Sequence, residues 1–231
     1  MNIFRKSLQE YSIHHSESHS TAHDRISQLT EVTEILEDNF QFSKILCVET
    51  GASKSWVDGM VGYYFALLSY KTQGIFHSVD NNKNIEEEVF KAYNQLNPQL
   101  DINHTTNDSV DFLKNLQFIP NLVHLDSWNV NLKDPLPCAL HGWREFEAIE
   151  SKMPIGSVII IDDNWFKGTW VEWNTWQNGQ IIYTEKLNIN YPVLGKGAHI
   201  YQYAISGESN WEVLSKPLVG RNIKIIIQKI S

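Results

Sequence analysis

The chain has 231 residues, a formal net charge of −8 and 12% aromatic residues. That length suits one α/β domain with a sizeable core, and an acidic balance without a basic stripe argues against a nucleic-acid surface as the main partner. Cys47 and Cys138 are too few for a disulfide framework, and no apolar run or leader-like pattern suggests membrane insertion or export, so a reduced, cytoplasmic protein is expected.

Residues 1–42 divide off as an N-terminal arm and helix, ahead of a single domain over 43–231. The first 25 residues are polar and serine-rich. His15, His19 and His23 fall at i, i+4 and i+8 on one helical face, where imidazoles can share a metal ion. No apolar partner face accompanies them, so a solvated arm near the substrate mouth is the expectation. Ile26 to Phe40 places Ile26, Leu29, Val32 and Leu36 at helical spacing, an amphipathic helix.

The organising stretch is Ser43 to Gly59. Lys44 to Val48 is a short apolar run, the mark of a strand buried on both faces. Glu49 closes it, Thr50, Gly51, Ala52 and Ser53 form a small-residue turn, and Gly59 to Tyr70 is an apolar helix. Strand, tight turn and helix present backbone N–H groups at the carboxyl edge of an open sheet. Gly51 would let a ligand approach the backbone, since no Cβ intervenes. The full G-x-G-x-x-G spacing is missing, which disfavours a dinucleotide site.

Beyond Gly74, Ile75 to Val79 is a second strand ending at Asp80, with Asn81 and Asn82 after it. A carboxylate at this tip can accept from both hydroxyls of a ribose, although Asp-Asn-Asn also makes a surface turn. A helix over 84–97, a weak strand over 100–104 and a helix opening at Asn107, Asp108 and Ser109 follow. Asp108 is a natural helix N-cap, and in a nucleoside-binding sheet the same place touches the base; the two readings are compatible. Leu122 to Leu125 is a fourth strand ending at Asp126. A proline-punctuated linker over 129–137 and a helix over 140–152 lead to Val158–Ile161, a fifth strand ending in Asp162 and Asp163. The alternation then stops. Trp165, Trp170, Trp173 and Trp176 crowd one segment, and 180–187, 198–205 and 223–229 have the pattern of strands that close the sheet in an antiparallel edge hairpin. The fold class is α/β: a Rossmann-like, doubly wound, mostly parallel sheet.

Parallel strands deliver their carboxyl ends to one edge, so Glu49, Asp80, Asp108, Asp126, Asp162 and Asp163 converge. Bare carboxylates from the fourth and fifth strands would repel one another, and a hard divalent cation such as Mg²⁺ relieves that conflict. Bound there, it would lower the pKa of a substrate hydroxyl. His141, at the start of a helix, is either a structural hydrogen-bonder or a base. Trp165, close to the acids, would wall an acceptor.

In the order of these pieces the chain resembles class I S-adenosylmethionine-dependent methyltransferases, from Lys44 to about Asn164. The resemblance implies that Glu49-Thr50-Gly51-Ala52-Ser53 receives the methionine part of the cofactor, that Asp80 with Asn81 holds the ribose, and that Asp108-Ser109 lies near the adenine. Leu125-Asp126 with Ile161-Asp162-Asp163 is similar to metal-dependent O-methyltransferases of the macrocin type. That likeness implies Asp126, Asp162 and Asp163 as ligands of a divalent ion and a sugar- or natural-product-like hydroxyl as acceptor. The first motif is short of glycines. Asn129 stands where the catechol type has a lysine base, leaving Asp126 or His141 for that duty. A homo-oligomer is compatible with this reading. The alternatives are a metal-dependent hydroxylase on the same fold and a non-catalytic binding module. A facial iron site would want two histidines, and His77, His104 and His124 lie inside strands.

Overall fold

The computed structural model describes residues 2–18, 22–41, 43–54, 60–177, 180–214 and 223–231. Helices α1 (Ile3–Ser18) and α2 (Ala22–Phe40) precede β1 (Leu46–Thr50), α3 (Val61–Lys71), β2 (Ile75–Asp80), α4 (Glu86–Leu96), β3 (Asn103–Thr106), α5 (Ser109–Lys114), β4 (Leu122–Leu125), α6 (Leu136–Ile149) and β5 (Val158–Phe166). The remainder holds β6 (Trp170–Gln177), β7 (Gln180–Asn188), β8 (Val193–Gly195), α7 (Ala198–Ala204), β9 (Trp211–Val213) and β10 (Ile223–Lys229). The main sheet runs β3-β2-β1-β4-β5-β10-β9, with β8 paired to the outer end of β5. Strands β1 to β5 are mutually parallel, whereas β10 is antiparallel to both β5 and β9. This is the expected α/β sheet with an antiparallel edge. The strand order reverses between β1 and β4, which opens a crevice at their carboxyl ends.

Period-two alternation explains why the central strands are almost wholly apolar. Cys47, Leu122, Val158, Ile160 and Ile226 enter the core beneath the helices α1, α3 and α4. Their neighbours Val48, Val123, Leu125, Ile159, Ile161 and Ile225 enter the core on the opposite side, with Phe146 of α6 and Ile200 of α7. Strands β6 and β7 form a separate two-stranded hairpin. Its base is closed by Phe166↔Val193 pairing and by Gly168 N–H donating to the Ile189 carbonyl at 3.1 Å. Among the described residues no helix is long and apolar enough to cross a membrane.

Four expectations need correction. The solvated arm is instead α1, a helix packed on the domain, with Phe4, Tyr11 and His15 fully buried. Phe4, Leu8, Tyr11 and His15 recur every three to four residues, an apolar face that the flanking serines and histidines obscured. The His15 ring lies 5.3 Å from that of Tyr11, while His19 and the side chain of His23 lie outside the described residues, as do Ser55 to Gly59 and the side chains of Trp173 and Trp176. The segment taken as a strand over 198–205 is α7, since Ala198, Tyr201 and Ala204 recur at helical spacing. Helix α6 begins at Leu136, earlier than expected, because Pro137 sits in its first turn where no N–H is required. Finally, β5 does not stop at Ile161. Its pairing with β4 ends there, and it continues to Phe166 against β8. The change of partner occurs at Asp163, whose φ is +56°.

If α1 is integral to the core, Phe4→Ala destabilises the protein by about 3 kcal/mol or more, read as a lower urea midpoint. A solvated arm would leave the midpoint unmoved.

Candidate active site

Two clefts meet at the carboxyl edge of the sheet. One, of about 480 Å³, is lined by Gly51, Asp80, Asn81, Asp108, Ser109, Asp126, Trp128 and His141 among others. The other, of about 410 Å³, is lined by Arg25, Ala52, Ser53, Asp162, Asp163 and Lys196 and shares Gly51, Asp80, Asp126 and Asn129 with the first. The structure therefore gathers Gly51, Ser53, Asp80, Asn81, Asp108, Ser109, Asp126, His141, Asp162 and Asp163 into one continuous depression.

Glu49 and Thr50 lie beneath it, fully buried. The Glu49 carboxylate accepts from the Ser53 N–H at 3.1 Å and hydroxyl at 2.5 Å, tying the turn after β1 back onto the strand. Thr50 Oγ1 accepts from the Asp126 N–H at 3.2 Å. Gly51 adopts φ +76°, and a Cβ there would meet the Asp126 carbonyl oxygen at 2.4 Å. The glycine is demanded by the chain's own backbone at the β1–β4 crossing, a reason different from the ligand approach inferred above. Asp80 braces both flanking loops, accepting from the Ala52 N–H at 3.1 Å and the Asn82 N–H at 2.8 Å. Asp108 caps α5 through the Asp111 N–H at 3.0 Å.

His141 enters this cleft from α6. Its Nε2 is 3.0 Å from Ser109 Oγ and 2.9 Å from Ser127 Oγ, and Ser127 in turn donates to Glu145 Oε1 at 2.6 Å. The Trp128 ring lies 5.0 Å from the His141 ring, and Trp128 is 54% exposed. Its φ of +70° is costly for a bulky residue. Trp165, by contrast, packs with Leu132, Ile189 and Leu194 in a small separate cluster.

The acids of β4 and β5 are not bare. Lys196 Nζ lies 2.5 Å from Asp126 Oδ1 and 2.9 Å from Asp163 Oδ2. Lys224 Nζ pairs with Asp162 Oδ2 and is 3.3 Å from His124 Nε2. His124 Nδ1 reaches Glu49 Oε1 at 3.3 Å. Glu49, His124, Asp162 and Lys224 all lie on one face of neighbouring strands and are almost completely buried. Burial would raise the Asp162 carboxyl, but Lys224 and then His124 hold it well below the carboxylate range. His124 is also opposed by burial and by Lys224, yet its contacts with Asp162 and Glu49 raise its pKa. Asp126 moves the other way, from 3.8 up to about 6, through burial and the adjacent Asp162, with Lys196 opposing. One atom each of His124, Asp126 and Asp162 lie within 4.8 Å of one another, close enough for a shared ion.

Trp128, Lys196 and Lys224 have no place in the sequence reading, and His124 enters it only as a residue inside a strand. A histidine in Leu-Val-His-Leu and a lysine in Ile-Lys-Ile-Ile-Ile were the available signals, because a polar residue within a buried run needs a partner. For Lys196 the one signal in the sequence is the glycine on either side.

No protein-family model matches the sequence, and no curated protein matches it. Solved structures do resemble its fold. An S-adenosylmethionine-dependent methyltransferase from Clostridium acetobutylicum ATCC 824 is 12% identical, with 87% of this chain and 91% of that one covered at a TM-score of 0.51. An rRNA methylase from Streptococcus thermophilus is 9% identical, with 88% and 96% covered at 0.53. A putative rRNA methylase from Clostridium thermocellum is 12% identical, with 80% and 87% covered at 0.50. The fold is thus the Rossmann-like fold of S-adenosylmethionine-dependent methyltransferases.

Removing one partner of the buried Lys224–Asp162 pair leaves an uncompensated charge. Lys224→Met is therefore expected to destabilise the protein by about 3–5 kcal/mol, measured by urea unfolding, and the double variant Lys224→Met/Asp162→Leu should recover part of that loss.

Proposed function

We propose that this protein transfers a methyl group from S-adenosylmethionine to a hydroxyl of a small-molecule acceptor. The observation that carries the reading is the pair of clefts joined at Gly51 and Asp126, at the crevice where this fold binds ligands. In the first cleft Asp80 and Asn81 would take the ribose, Asp108 and Ser109 the adenine edge, and Trp128 a face of the base. The methionine end would follow the Gly51–Ser53 turn toward the second cleft. The acceptor would lie there, beside Asp126. The cofactor, when bound, would supply the methyl carbon and take back the carbon–sulfur electron pair, while Asp126 would align the acceptor hydroxyl and take its proton. The cofactor's sulfonium supplies the reactivity, and the protein supplies alignment and charge. His141 belongs to the cofactor side, where two serines occupy its Nε2, so Asp126 is the better base.

A likeness to the macrocin type, with divalent-metal assistance, is favoured by the closeness of His124, Asp126 and Asp162. The two lysines among those acids weigh against the ion. An RNA acceptor is the second reading, since two of the similar structures are an rRNA methylase and a putative rRNA methylase. The net charge of −8 and the clefts lined by Asp80, Asp108, Asp126, Asp162 and Asp163 disfavour it, because such a surface repels phosphates.

Calorimetric titration of S-adenosylmethionine should give micromolar binding, about −8 kcal/mol. Asp80→Asn should weaken it about tenfold or more, as expected on losing a charge-assisted hydrogen bond. An absence of binding by the wild-type protein would remove the reading. For the base, ¹³C carboxyl NMR should show Asp126 titrating near 6. Because its folded pKa lies above the ordinary value, the folded chain holds this proton longer than the unfolded one. This group's contribution to stability therefore falls as pH rises from about 4 to about 6.

A further inference from the structure

Lys196 takes up a carboxylate oxygen of Asp126, a member of the one group among the described residues that is close enough to share an ion. Its ammonium has three acceptors: Asp126 Oδ1 at 2.5 Å, Asp163 Oδ2 at 2.9 Å and the Asp126 carbonyl at 3.2 Å. An ammonium carries three donor hydrogens, so these contacts use all of them. Asp126 is one of the three groups, with His124 and Asp162, whose atoms lie close enough to share an ion, and both of the aspartates that Lys196 holds offer the oxygens a hard divalent ion takes. The other acid, Asp162, is bound by Lys224. Three carboxylates face two ammoniums, which leaves one formal negative charge where a doubly charged ion would need more to offset its dehydration.

The chain is built to deliver this lysine. Gly195 adopts φ +125°, and a Cβ on it would stand 2.0 Å from the Asp163 carbonyl oxygen, so β8 approaches β5 this closely only as glycine. The Gly197 N–H donates to Asn164 Oδ1 at 2.7 Å. Asn164 Nδ2 donates to the carbonyls of Ile161 and Asp162, each at 3.0 Å. Lys196 is thus clamped on both sides to the strand that carries Asp162 and Asp163, and is itself 3% exposed. Burial opposes its charge, but Asp126 and then Asp163 and Asp162 hold its pKa above the ordinary lysine range, so it stays protonated.

We infer that Lys196 is an internal counter-ion standing in place of the divalent metal, so that the acidic trio of this protein works without one. If the methyl-transfer reading holds, Lys196 is then a positioning residue that fixes Asp126 through Oδ1. The inference about the metal depends only on the acids and the lysine. The test is Mn²⁺ titration of the full chain, followed by the loss of the free-ion electron paramagnetic resonance signal, with no cofactor or acceptor present. The wild-type protein should show no Mn²⁺ site that Asp126→Asn abolishes. Lys196→Met, which leaves two net negative charges in place of one, should gain a site about tenfold tighter or more than any in the wild type, and Asp126→Asn added to it should remove that site. A wild-type Mn²⁺ site lost in Asp126→Asn would overturn the inference, as would a folded Lys196→Met that gains none. Should Lys196→Met fail to fold, the wild-type comparison decides alone: an Asp126-dependent site overturns the inference and its absence supports it. Failure of the methyl-transfer reading would show separately, as absent cofactor binding in calorimetry.

Discussion

A row of buried charge across four strands sets the terms for the rest of this molecule. Glu49 on β1, His124 on β4, Asp162 on β5 and Lys224 on β10 face the same side of the sheet, with His124 between Glu49 at 3.3 Å and Asp162 at 3.7 Å. Each would be expensive to bury alone. Together they form a chain in which every charge has an opposite or a hydrogen-bonding neighbour. Two consequences follow. The row ties the parallel part of the sheet to the antiparallel edge strand, so the edge is required for the site and not merely appended to it. It also ends the apolar core at a fixed level, above which the polar clefts begin.

The clefts inherit their shape from that boundary. Glu49 reaches from the row to Ser53 and folds the turn after β1, while Thr50 and Gly51 bring that turn against the backbone of Asp126. Asp80 braces the turn from the other side. The loop is held by side chains of the strands themselves, which explains how a first motif poor in glycine keeps a defined form. In place of a flexible glycine-rich loop stands one fixed by hydrogen bonds, a preorganised surface for a ligand.

What the sequence disclosed and what it hid follow a physical pattern. The strands β1, β2, β4 and β5 were legible because buried strands must be largely apolar, and their acidic tips because parallel strands share one carboxyl edge. The edge strand β3 (Asn103–Thr106), by contrast, is polar and half-buried, and it starts at Asn103 where 100–104 was expected. Asp126, Asp162 and Asp163 were correctly expected to converge. Their partners were not found, since Lys196 and Lys224 lie on later segments whose position beside β5 depends on long-range antiparallel pairing. Without them the acids stand unpaired in the sequence, whereas in the structure Lys196 and Lys224 pair with them. The helix α1 was hidden for another reason. Its buried face, Phe4, Leu8, Tyr11 and His15, is sparse and interspersed with serine and histidine, and only contact with α3 makes the burial evident. In α7 the mistake was one of period, where aromatic residues on a short helix imitated a strand.

The β6–β7 hairpin leaves β5 after Phe166 and returns at Val193, which pair with one another. The excursion therefore begins and ends at nearly one point. A segment closed at its base can lengthen, shorten or be exchanged with little effect on the chain on either side, because the entropy of closing a loop grows only slowly with its length. The clamp that holds Asp163 against Gly195 lies on the inner side of that closure. The hairpin beyond that closure is thus free to vary while the paired charges of Asp126, Asp162, Asp163, Lys196 and Lys224 stay as they are.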